Sequence, residues 1–146
     1  MRYPRLFFIF ITIFFISSCS KDKFNTNPTI KLESVNTTEL FPGEQLQFLL
    51  SFTDKEGDVS GTVFVEKIEP TCPGSSFKQA YTVPDFPSTS NQKGELTVTF
   101  GYNVSGLSNI SPKCMRNDTA VFRFALVDKA MNSSDTIQSQ PIVLHY

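Results

Sequence analysis

Leu46-Gln47-Phe48-Leu49-Leu50-Ser51-Phe52 puts Leu46, Phe48, Leu50 and Phe52 on one side of an extended chain and Gln47 and Ser51 on the other. A second stretch, Val121-Phe122-Arg123-Phe124-Ala125-Leu126-Val127, repeats the pattern with Phe122, Phe124 and Leu126 opposed by Arg123. Two aromatic-rich faces of period two call for two sheets packed about 10 Å apart. From Thr29 onward this period recurs with turn signals between the runs, and no stretch sustains helical spacing. The pattern predicts strands over 29–36, 45–53, 61–68, 79–83, 95–102, 120–127 and 137–144. Phe64, Ile68, Leu96, Val98 and Phe100 are further core candidates. The expected fold is an all-β, antiparallel β-sandwich of seven strands.

Asp54-Lys55-Glu56-Gly57-Asp58 closes the second of these strands, and Gly57 offers the positive φ of a tight turn. The motif resembles the Asp-x-Asp-Gly-Asp turns of bacterial immunoglobulin-like and cadherin-like surface domains. Val127-Asp128-Lys129-Ala130-Met131-Asn132-Ser133-Ser134 is similar to the turn before the last strand of many such repeats, with Met131 where glycine is usual. This resemblance implies a seven-stranded immunoglobulin-like domain and leaves function open. Asp54, Glu56 and Asp58 carry carboxylates at alternate positions, a donor set suited to calcium. A plain hairpin turn accounts for the same residues. An EF-hand is excluded, because position twelve of such a loop is Val65.

Ahead of the domain stand Arg2 and Arg5, then an apolar run from Leu6 to Ile16, then Ser17-Ser18-Cys19. The run is shorter than the roughly 20 residues of a spanning helix, so it reads as an export signal. Small residues directly before Cys19 resemble the bacterial lipobox, which implies a signal at residues 1–18 that is cleaved, and diacylglycerol on the Cys19 sulfur. Membrane attachment then runs through that anchor. Ser20-Lys21-Asp22-Lys23 resembles the surface-export signal of lipoproteins in the Bacteroidetes, with Lys23 where a second acidic residue is usual. The resemblance implies an outer-membrane location, and cell-surface and periplasmic orientations both stay open. Residues 19–28 are polar and aperiodic, a tether before a single domain at 29–146. A secreted chain cut near Ser18 is the competing reading. On that reading Asn36, Asn103, Asn117 and Asn132 begin glycosylation triplets.

Of the 13 basic residues, Arg2 and Arg5 fall in the signal, which leaves 11 against 14 acidic ones. Composition therefore gives nucleic-acid binding no support. With Cys19 set aside, Cys72 and Cys114 form an even pair in an exported chain, and a disulfide between two irregular segments is expected. Those segments, 70–79 and 103–118, are the longest loops, with Phe77, Tyr81, Lys113 and Arg116 nearby as candidate binding groups. Insertion-tolerant loops without a task explain them equally well.

Asp118-Thr119-Ala120 and Asp135-Thr136-Ile137 resemble the O-glycosylation acceptor of the Bacteroidetes, which implies glycan on Thr119 and Thr136. The one histidine is His145, and no nucleophile motif or phosphate-cradling glycine loop occurs, so no enzymatic activity is expected. No cofactor beyond calcium is suggested. Carbohydrate recognition, in a chain without tryptophan, falls to Tyr81 and Tyr102. The expectation is a lipid-anchored envelope protein with a binding or structural module, its partner an envelope protein or a glycan. The rival is a carbohydrate- or calcium-binding module of a nutrient-uptake system.

Overall fold

A computed structural model describes residues 26–146; the expected export signal, Cys19 and the expected tether through residue 25 lie outside the described residues. In chain order the strands are β1 (Thr29–Val35), β2 (Glu39–Leu40), β3 (Gln45–Asp54), β4 (Thr62–Ile68), β5 (Phe77–Thr82), β6 (Gln92–Gly101), β7 (Ser108–Asn109), β8 (Asp118–Val127), β9 (Ile137–Gln138) and β10 (Ile142–Leu144). One sheet has the order β1-β3-β6-β7, the other β2-β10-β8-β4-β5, with β9 paired to β8. The fold is all-β, and the two sheets lie face to face. Among the described residues no helix is long and apolar enough to cross a membrane.

The alternation of β3 and β8 decides what lies between the sheets. Leu46, Phe48, Leu50 and Phe52 from one sheet, and Phe122, Phe124 and Leu126 from the other, are all buried. Phe48 is their meeting point, with ring centroids 4.9 Å from Phe122, 5.0 Å from Phe124 and 6.3 Å from Phe100. Burying each such ring contributes about 1.5–3 kcal/mol toward closing the sandwich.

The architecture departs from expectation in three ways. Among the described residues the count is ten strands, because β2 and β7 are two-residue strands within segments expected to be irregular, and the last strand is split. The split follows from Ser139 and Pro141. Ser139 is buried and takes both main-chain groups of Phe122, its amide donating to Phe122 O at 2.8 Å and its Oγ accepting from Phe122 N at 3.0 Å. Pro141 has no N–H to continue the ladder. Beyond it β10 runs antiparallel to β8 and parallel to β2, and this parallel pair, with that of β6 and β7, makes both sheets mixed.

The second departure is the register of β4. Val63 and Val65 point inward, so Phe64 stands outside at 48% exposure and Ile68 is only half-buried. Because side chains alternate with period two, the next inward position is Lys67. Third, Tyr102 is 2% exposed and belongs to the core.

Candidate functional site

Two clusters of charge lie at the ends of strands. The first begins where β3 stops. Asp54 is its last residue, Asp58 lies in the turn that follows, and Asp128 directly succeeds β8, so one end of the sandwich draws carboxylates from both sheets. One ligand oxygen from each lies within 4.8 Å of the others. Asp128, distant in sequence, completes this trio, whereas Glu56 is exposed and lies outside it.

Backbone amides hold the three carboxylates. Glu56 N and Asp58 N donate to Asp54 at 3.2 and 2.8 Å, Ala130 N donates to Asp58 Oδ2 at 3.1 Å, and Asn132 N and Nδ2 donate to Asp128 at 2.8 and 3.0 Å. The Asp58 main-chain carbonyl accepts from Lys129 N at 3.0 Å, which ties the two turns together. Asp58 Oδ1 is buried and has no hydrogen-bond partner. Burial, then the charge of Asp128 and the hydrogen bond and charge of Asp54, hold the Asp58 carboxyl above its ordinary range, against the Ala130 amide. The neighbouring ammonium of Lys129 is turned to Asp85 at 3.0 Å. Gly57 makes the turn possible, with φ of 78° and a Cβ position that would fall 2.2 Å from Thr89 O.

The second cluster lies under the two loops that the cysteines join. A disulfide links Cys72 and Cys114, with Cα atoms 5.9 Å apart. Around it Arg116 donates to Thr71 O at 2.9 Å, Lys113 N donates to Ser75 Oγ at 2.7 Å, and Thr71 Oγ1 bonds Asp118 Oδ1. Beneath this lacing Lys67 and Glu69 form a buried ion pair, Nζ to Oε1 2.5 Å, with side chains 1% and 0% exposed. Lys67 Nζ also donates to Ile110 O at 2.8 Å and lies 5.9 Å from the centre of the Phe77 ring. Glu69 Oε2 and Asp118 Oδ2 are buried without hydrogen-bond partners.

Burial pulls the Lys67 ammonium below its ordinary range; Glu69 and Asp118 oppose that shift and Lys113 adds to it. Glu69, Cys72 and Asp118 come within ligating distance of one another. They are no metal set, since the Cys72 sulfur is taken by the disulfide and an ammonium already faces Glu69.

The stapled loops present fewer groups than the sequence suggested. Phe77 and Tyr81 are half-buried and pack on Phe100, each at 6.1 Å, and the Tyr81 hydroxyl bonds Gln79 and Ser108. Lys113 and Arg116 are exposed, as are Thr119 and Thr136. Tyr102, being buried, offers no ring face to a ligand. The signal for Lys67 lay in its spacing from Val63 and Val65; none marked Asp128 as a partner of Asp54 and Asp58.

No family model matches the chain, and no curated protein matches it. Among solved structures it is similar to the sporulation control protein Spo0M from Bacillus subtilis, at 12% identity and a TM-score of 0.46, over 82% of this chain and 50% of that one. The chain thus spans about half the length of that structure.

Proposed function

We propose that the chain is a lipid-anchored envelope protein of the outer membrane, in which a tether holds a non-catalytic binding or structural module off the bilayer. The observation that carries this reading is Cys19, placed directly after Ser17-Ser18 at the end of the apolar run and ten residues before Thr29 opens β1. Acyl chains stabilise attachment by about 0.8 kcal/mol per buried CH₂, so a multiply acylated Cys19 holds where one chain alone is marginal. The Cys72–Cys114 bridge supports an oxidising compartment. The expected result is that the native protein fractionates with membranes and carries the mass of acyl groups on Cys19. Cys19→Ala moves it to the soluble fraction. A native chain whose intact mass is that of a bare polypeptide cut near Ser18 overturns the anchor.

A second reading is favoured by the buried, unpartnered Asp58 Oδ1 within the trio of Asp54, Asp58 and Asp128. Three hard oxygen donors pre-set by backbone amides suit calcium, with main-chain oxygens and water completing the shell. A cation there offsets the burial, and after it the charges of Asp128 and Asp54, that raise the Asp58 carboxyl. At a hundredfold excess over Kd a ligand stabilises the folded state by about 2.7 kcal/mol, so calcium raises the melting temperature by several degrees. Asp58→Asn and Asp128→Asn each remove that rise. No calorimetric heat and no melting shift with calcium dismiss this reading and leave the anchor untouched.

A further inference from the structure

Phe64 stands where a sandwich normally shows water a polar side chain. It lies mid-strand in β4, at 48% exposure, on the outer face of the β5-β4-β8 sheet. Its cross-strand partners are Ala80 on β5 and Ala125 on β8, so nothing of comparable height flanks the ring. Two positions along, the same three strands place Glu66 between Lys78 and Arg123, at 3.0 and 3.6 Å. Arg123 Nε donates to Gln138 on β9 at 3.2 Å. The ring and this polar row border a shallow depression of about 160 Å³, which Thr136 also lines.

We infer that this outer face is a saccharide-binding site, with Phe64 as the stacking platform and Arg123 and Lys78 as receptors for a sugar carboxylate. The inference deepens the reading of the domain as a binding module and rests on it. The C–H face of a pyranose is apolar and weakly positive, the complement of an aromatic π face. Next to that platform the row is rich in donors and carries two cations against one carboxylate. Glu66 holds the Arg123 guanidinium only loosely, since 3.6 Å exceeds hydrogen-bonding range, and the Lys78 side chain is 80% exposed. A carboxylate two or three bonds from the stacked ring meets that fork, and Arg-carboxylate geometry is directional.

Other occupants fit less well. A protein partner needs about 800 Å² on each side, and one ring between two alanines, bordered by charge, offers far less apolar surface. A nucleic acid needs many phosphate contacts, and a chain with more acidic than basic residues repels it. Phe41, exposed elsewhere, has one face already stacked on His145 at 4.1 Å. Tyr102 is core, and Phe64 takes the place that the sequence assigned to it.

The test is calorimetric titration of the full chain in detergent with oligogalacturonate, oligoglucuronate and their methyl esters, which keep the ring and mask the charge. At least one free acid binds, its ester binding at least ten-fold more weakly. Phe64→Ala weakens the acid about ten-fold at unchanged melting temperature, Phe64→Tyr retains binding, and Arg123→Gln erases the preference for acid over ester. The inference is overturned by no heat with either acid, by equal binding of acid and ester, or by full affinity in Phe64→Ala. Self-association by sedimentation that Phe64→Ala abolishes overturns it in favour of a contact between copies. Intact mass at Cys19 is read on the same sample, so a blank titration of acylated protein removes the saccharide site while the anchor stands.

Discussion

Lys67→Met lowers the unfolding free energy by about 3–5 kcal/mol, read from urea midpoints at neutral pH. The size follows from what is left behind. Glu69 is fully buried, its Oε2 has no hydrogen-bond partner, and Asp118 adds a second unpartnered carboxylate oxygen nearby. Removing the ammonium strands that negative charge in a dry site. Lys67→Met combined with Glu69→Leu recovers most of the loss, because a well-packed apolar pair replaces a buried ion pair at little cost. If the single variant matches wild type, water reaches Glu69 and the site is not dry.

The same lysine gives the protein a pH signature. Its folded-state value lies below 10.5, its ordinary one, chiefly through burial. Between those two values the unfolded chain holds a proton that the folded chain has released, so this group's contribution to stability increases as pH climbs toward 10.5. Below the folded value that contribution is absent. Ordinary surface lysines show no such rise, and Lys67→Met abolishes it.

The second large effect comes from the staple above that pair. Cys72→Ala with Cys114→Ala costs up to about 4 kcal/mol, the chain-entropy value for cross-linking residues 42 apart. Wild type treated with reductant loses a similar amount, while the double-alanine protein is insensitive to it. An unchanged melting temperature, with both thiols titratable, counts against the account. The two effects are coupled. Without the bridge, the loops that cover Lys67 and Glu69 open more readily, so the penalty of Lys67→Met shrinks in the alanine background. A double-mutant cycle measures that difference.

Most of the architecture could be read from Leu46–Phe52 and Val121–Val127, where polar residues mark which face is wet. The β4 register could not, because Val63-Phe64-Val65 is apolar throughout and alternation has nothing to alternate with. Burial of both valines sends the largest ring to solvent and a lysine to the interior, opposite to what side-chain polarity suggests. The cysteine pairing was legible because two thiols remain once Cys19 is set apart. The acidic trio was legible by halves: Asp54 and Asp58 are neighbours in sequence, whereas Asp128 arrives only when β8 is paired with β4. Tyr102 was misread although it continues the two-residue spacing of Leu96, Val98 and Phe100, which already placed it on their inward face.

The position of β10 has a consequence for how the second sheet closes. Ile142–Leu144 lies between β8 and β2, pairing Leu144 with Leu40 on one side and Ile142 with Ala120 on the other, and both side chains are fully buried. Completing the second sheet therefore waits on the docking of β10, without which β2 has no strand beside it and one edge of β8 stays unpaired over Asp118–Ala120. Contacts this distant in sequence also make the final step slow. β10 is thus the closing piece of that sheet, since it alone joins β2 to β8.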